Sequence, residues 1–178
     1  MRDLLVAGVL VLVLGSAAAA QDRPQADVFG GYSLVRQNGA SLHGGELSLA
    51  YYLSRRLGIV IDVDAHGHTI AGVDHTTSAA LIGPRLSFAA GALTPFVHAL
   101  IGAVRDEDAV KVFSQTISER HTSAGGAVGG GIDFGRSHFG ARVQGDYRLA
   151  RRADDSGARK LRGDPRVSAG VVFRIGTR

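Results

Sequence analysis

Two short stretches carry side chains whose types and spacing suit chemistry. His121 and Ser123 flank a threonine in "HTS", a spacing at which an imidazole can take the proton of a weak hydroxyl nucleophile when a carboxylate orients it. Asp133 is the acid downstream in the same segment. A loop histidine beside a serine satisfies the same three-residue pattern without any reaction. In "DVDAHGHTIAGVDH", Asp64, His66 and His68 share one face of an extended chain, and Asp74 and His75 follow across a connection. Imidazole and carboxylate suit zinc or nickel, but nothing in the sequence fixes these residues into a rigid ligand set, so no metal is expected.

A larger set is charged rather than reactive. Glu46, Asp62, Asp64, Arg85, Asp133, Arg142, Asp146 and Arg174 recur at alternate positions of extended runs, opposite apolar neighbours. In "GIVIDVDAH", Ile59, Ile61, Val63 and Ala65 fall on one face, with Val60, Asp62, Asp64 and His66 on the other. Alternation of this kind is a strand separating two environments. Similar runs occur near residues 27–35, 43–53, 58–67, 76–88, 94–104, 123–134, 139–149 and 166–175. Short turns, "SRRL", "AAGAL" and "GRSH", alternate with longer polar connections near 36–42, 68–75, 105–122 and 150–165. Strict alternation of short and long connections is the pattern of an up-and-down barrel in an outer membrane.

The first twenty residues do not belong to this pattern. Arg2, the apolar run Leu4 to Leu14 and the small residues Ala18 to Ala20 form a cleavable export signal. The run is shorter than the roughly 20 residues a spanning helix needs, so residues 1–20 are expected to be a signal peptide and 21–178 one domain. The chain has no cysteine and a net charge of +4, which excludes a disulfide scaffold and favours an anionic partner. Export removes nucleic acid from consideration and leaves anionic lipid.

Closed into a barrel of eight strands, the polar faces meet in a lumen just wide enough for side chains to fill. Buried charges must be paired. Counted from the short turns, Asp62 and Arg85 reach similar heights, and Arg142 and Arg174 come near Asp133; an internal ion-pair network without an open pore is expected. Tyr51, Phe88, Phe134, Phe139 and Phe173 gather on the apolar faces near the short turns, the place of an aromatic girdle at a membrane interface. In "RLARRADDSGARKLRGDPR", the bases Arg148, Arg151, Arg152, Arg159, Lys160, Arg162 and Arg166 outnumber the acids. Such a cluster suits lipopolysaccharide phosphates or a solvated loop with no specific partner; Arg151, Arg152, Arg159, Lys160 and Arg162 are the candidate contacts.

The glycine-rich "AGGAVGGGIDFG", residues 124–135, has no Gly-Lys-Ser/Thr after it and opens no helix, so it is no nucleotide loop and no cofactor is expected. As the sixth strand it places Gly125, Gly129 and Gly131 inward, making room for long guanidinium groups. Gly130, facing outward, is expected to tolerate a side chain better than Gly129 or Gly131.

The segment "GGGIDFGRSHFGARVQGDYR" resembles the closing hairpin of the OmpA/OmpX-like outer-membrane β-barrel domains, through Gly129 to Phe134 and then Arg142, Asp146, Tyr147 and Arg148. The resemblance implies an all-β, eight-stranded antiparallel up-and-down transmembrane β-barrel, monomeric, in the outer membrane of a Gram-negative-type bacterium. It also implies the barrel-assembly machinery as a partner during biogenesis. Two departures stand out: Phe173 lies five residues from the end instead of a terminal aromatic, and no peptidoglycan-binding domain follows.

The expected role is structural or a surface interaction, such as envelope integrity, adhesion or lipopolysaccharide contact, and not catalysis. Two alternatives stay open. Lipid A deacylases are barrels of similar size with a His-x-Ser pair, which His121 and Ser123 resemble, although Ala124 stands where that family has Asn. A soluble periplasmic barrel of lipocalin type would use the same alternation with its faces reversed.

Overall fold

Strands whose side chains alternate between two environments must close on themselves or leave unpaired edges, and this sheet closes. The computed structural model describes residues 26–37, 39–70, 73–112, 115–135, 138–153 and 159–176; the expected signal peptide, 1–20, lies outside them. Eight strands follow in chain order: β1 (Ala26–Gln37), β2 (Ala40–Tyr52), β3 (Leu57–Ile70), β4 (Val73–Ser87), β5 (Leu93–Val112), β6 (Gln115–Phe134), β7 (Phe139–Ala153) and β8 (Arg159–Ile175). Each is antiparallel to the next, and β1 pairs with β8 from Ala26↔Ile175 to Val35↔Arg166. Closure removes the edges that would otherwise expose a row of backbone donors and acceptors. The architecture is the eight-stranded antiparallel barrel expected from the alternation.

The short turns lie where the sequence puts them, at one end, here called the lower end. Leu53 N donates to Leu57 O at 2.9 Å and Leu57 N to Ser54 Oγ at 3.1 Å, closing the β2–β3 turn. The β6–β7 turn begins at Gly135, whose φ of 109° is one that a side chain disfavours.

The longer connections are much shorter than the sequence reading has them, and this corrects it. Only two residues separate β1 from β2, β3 from β4, and β5 from β6, and five separate β7 from β8. Where they are described, the residues assigned to long loops extend the strands upward, with β5 and β6 reaching 20 residues each. Ladder hydrogen bonds need no apolar face. Where both faces meet water the alternation fades while the pairing continues.

Inward and outward positions follow the expected parity. Ile59, Ile61 and Val63 are exposed on the outer wall, while Val60, Asp62 and Asp64 are buried between them. The interior is not uniformly polar. Ala50, Val60, Ala79, Leu81, Leu100, Val104, Ala127 and Ala150 form an apolar patch on the inner wall, and the charged side chains fill the remaining space.

The glycines of β6 are required by backbone approach as well as by room. A Cβ on Gly129 would lie 2.4 Å from Gly145 O, and one on Gly131 2.4 Å from Val143 O. A Cβ on Gly130 would also come within 2.4 Å, of Phe96 O. The outward Gly130 is therefore as constrained as its inward neighbours, contrary to the expectation from parity alone.

Candidate functional site

The lumen is built in layers. In the lower layer Asp133, on β6, accepts from Arg142 Nε at 2.6 Å and from Arg85 Nη2 at 2.7 Å. Both guanidinium groups pack over aromatic rings: Arg85 lies 3.7 Å from the Phe96 centroid, and Arg142 lies 4.8 Å from that of Phe29. The rings supply a favourable face to cations already paired with a carboxylate. Tyr52 Oη donates to Asp27 Oδ2 at 2.7 Å beside them. Arg174 lies at the same end against Gly140, where an added Cβ would meet its Nη1 at 3.0 Å.

Arg166 organises the middle layer. Its Nη1 donates to Asp64 Oδ2 at 2.5 Å and Asp62 Oδ1 at 2.9 Å, and its Nη2 to Asp146 Oδ2 at 2.8 Å. Glu46 Oε2 stands 3.6 Å from Nη1 and accepts from Ser168 Oγ at 2.5 Å. Gln144 Nε2 donates to Glu46 Oε1 at 2.6 Å, and His98 Nε2 lies 2.6 Å from Asp146 Oδ1. Above, Arg148 donates to Asp64 Oδ1 at 2.7 Å and to Thr77 Oγ1 at 3.1 Å. A planar guanidinium offers five donors in a fixed fork, against three rotatable ones on an ammonium, and so holds several carboxylates in defined directions.

The structure thus brings Glu46, Asp62, Asp64 and Asp146 around Arg166, and Arg85 and Arg142 onto Asp133. It does not pair Asp62 with Arg85. The β3–β4 register sets Asp62 opposite Leu81 and Arg85 opposite Gly58, so their heights differ, and each finds its partner across the lumen. Arg148, on the polar face of the seventh run, and Arg166, both flanking the basic loop cluster in the sequence, are buried in the lumen. Arg166 shares the parity of Arg174 along β8, and that signal was available once the strand was extended below residue 166.

The remaining bases of that cluster divide. Arg151 and Arg162 are exposed, whereas Arg152, Arg159 and Lys160 lie in β7 and β8 with side chains outside the described residues. Three cations outside that cluster, Arg36, Arg105 and Arg120, join Arg151 on the outer wall. On the outer wall, exposed Arg36, Arg105, Arg120 and Arg151 stand where the apolar alternation of β1, β5, β6 and β7 ends, with His43 on β2. Arg120 Nε donates to Glu107 Oε1 at 2.9 Å. Just below, Tyr32 hydrogen-bonds His43 Nδ1, and the Tyr147 ring covers Gly163. At the lower end Tyr51, Phe88, Phe134, Phe139 and Phe173 all point outward and are exposed, with Phe139 and Phe173 paired at 4.9 Å between centroids.

The reactive candidates do not assemble. His121 and Ser123 lie in β6, not in a loop, on its inward parity, opposite Asp106 and Val104. Asp133 sits at the other end of that strand, held by Arg85 and Arg142. Of the possible metal ligands, Asp64 is bound by two arginines and His66 is buried beside it, with Nδ1 at 3.2 Å. His68 and His75 face each other across β3 and β4, and the Asp74 side chain lies outside the described residues. Among the described residues no group of three or more such side chains is placed to hold a metal ion.

No family model and no curated protein matches the chain. Solved structures do. The N-terminal β-barrel domain of Pseudomonas aeruginosa OprF superposes with a TM-score of 0.54 at 17% identity, over 86% of this chain and 98% of that one. Neisserial surface protein A gives 0.58 at 14% identity, over 84% and 96%. Ail, the attachment invasion locus protein of Yersinia pestis, gives 0.55 at 18% identity, over 86% and 100%, and a further Ail structure holds the heparin analogue sucrose octasulfate. At these identities the likeness establishes the fold, that of the small eight-stranded outer-membrane barrels.

Proposed function

We propose that the chain is an integral outer-membrane barrel, exported by a signal peptide over residues 1–20, that serves envelope structure and surface contact, and not transport. One observation carries this reading: the outer wall is an apolar band bordered below by five exposed aromatics and above by Arg36, Arg105, Arg120 and Arg151. A surface of that kind is stable in lipid and costly in water, while the lumen it encloses is closed by paired charges. The upper cations sit where lipopolysaccharide phosphates would lie, and guanidinium groups bind such phosphates through paired donors. That Ail holds a polysulfated sugar supports an anionic partner for a barrel of this fold.

A lipocalin-like role would need apolar residues inside and charges outside, the reverse of what Ile61 and Asp62 display. A deacylase would need its nucleophile on the wall that acyl chains touch, whereas Ser123 faces inward. Assembly by the barrel-assembly machinery and a monomeric state complete the proposal.

Envelope fractionation tests it. The protein is expected with the outer membrane, extractable only by detergent, and heat-modifiable in migration on gels. It should add no ion conductance to a planar bilayer. Recovery in the soluble periplasmic fraction, or stepwise channel currents, would overturn it.

A further inference from the structure

The outer wall is not evenly clothed. Between β4 and β7 the outward side chains are small, with Ala99, Ala124 and Gly126 beside Pro84, and the backbone of Gly83, Leu100 and Gly125 forms the floor of a hollow of about 1150 Å³. The β4–β5 ladder is interrupted at the same place. Pairing runs to Ile82↔Ile101 and resumes at Arg85↔His98, skipping Gly83 and Pro84, of which the proline has no N–H to give. Ile101, 73% exposed, stands at one side, and Val128 and Leu149 form the walls. At the upper mouth stand Leu161 and one cation, Arg151, which are opposite each other in the β7–β8 register.

We propose that this hollow is a lipid-binding site that seats an acyl chain of lipopolysaccharide, with a lipid A phosphate on Arg151. The inference rests on the outer-membrane reading and adds a defined place and stoichiometry to it. Ordinary lipid would wet any apolar wall. Here the small side chains leave an open hollow that an acyl chain can enter, and the guanidinium at its upper end adds a charge that a neutral lipid cannot use. A second copy of this barrel is a poorer occupant, since a two-fold contact across the hollow would bring two Arg151 side chains into one interface whose described lining is otherwise uncharged.

The test compares wild type, Ala99→Leu/Ala124→Leu and Arg151→Gln in phosphatidylcholine nanodiscs doped with lipopolysaccharide or with phosphatidylglycerol, counting retained lipids by native mass spectrometry. Heat-modifiable migration first verifies that each protein is folded and inserted. Wild type is expected to retain one lipopolysaccharide, and each variant about tenfold less, equivalent to about 1.4 kcal/mol. A photoreactive benzoylphenylalanine at Ile101 should label lipopolysaccharide. Equal retention by all three inserted proteins, equal retention of phosphatidylglycerol, or a dimer lost in Ala99→Leu/Ala124→Leu would each overturn the site. Failure of wild type to insert at all would overturn the membrane reading beneath it.

Discussion

Arg166 and Asp146 stand opposite each other in the β7–β8 register, and the guanidinium donates to one carboxylate oxygen from both Nε, at 3.0 Å, and Nη2, at 2.8 Å. The same side chain reaches β3 through Asp62 and Asp64. It therefore ties the last strand to the third across the lumen.

Removing Arg166 leaves four carboxylates near one another with a single arginine, Arg148, close by. Breaking a buried pair from one side costs about 3–5 kcal/mol. Arg166→Met should lower the urea midpoint of heat-modifiable migration by that equivalent, and Arg166→Lys should recover only part of it. An unchanged midpoint would show that the lumen pairs contribute nothing to stability.

Asp133 holds two cations, so its loss should show coupling. Asp133→Asn and Arg85→Gln, measured singly and together, are expected to give a double-mutant interaction on the order of 1–3 kcal/mol. Simple additivity would mean that the 2.7 Å contact is energetically idle.

The glycines of the barrel should separate into two groups. Alanine at Gly129, Gly130 or Gly131 forces a Cβ to within 2.4 Å of a backbone oxygen, and overpacking of that kind costs about 1–3 kcal/mol. Gly30 and Gly45, with nearest neighbours at 3.9 and 3.6 Å, have ordinary room, and alanine there should be neutral or stabilising by about 0.4–1 kcal/mol. Thermal or urea unfolding of the five single variants decides it.

The chain has no tryptophan, so one can be placed at will as a depth probe. In vesicles, Phe139→Trp should be quenched by lipids brominated near the headgroup, and Ile101→Trp by lipids brominated mid-chain. Identical quenching profiles would remove the girdle assignment.

Co-expression with a lipid A-producing host should give the same lipid A mass for wild type and Ser123→Ala. Loss of an acyl chain dependent on Ser123 would reverse the non-enzymatic reading.

Strand number, parity and the lower turns were legible because each membrane-level strand separates an apolar from a polar environment, as Ile61 and Asp62 show. The upper parts of β5 and β6 were not legible, since Arg105 to Val112 mixes polar and apolar residues on both parities and Gln115 to Thr122 has Ile117 as its one apolar residue. Arg166 was misplaced for the same reason: the strand was begun at its own position, in a sequence that looks like a basic loop. The partners of Asp62 and Arg85 were hidden by distance. An arginine can span a narrow lumen, so nearness along adjacent strands does not decide which acid it meets. His98 and Phe96, inward on β5, carry no such signal, since neither is a carboxylate or a guanidinium.

The placement of charge along the chain has a consequence for biogenesis. Glu46, Asp62 and Asp64 come early, on β2 and β3, whereas the arginines that neutralise them, Arg148 and Arg166, come last, on β7 and β8. A hairpin of β2 and β3 entering lipid alone would carry three uncompensated carboxylates, each costly at that depth. Their counter-charges arrive only when the C-terminal strands do. Hairpin-by-hairpin insertion is thereby disfavoured, and the pairing of these lumen charges comes with closure of the seam between β1 and β8.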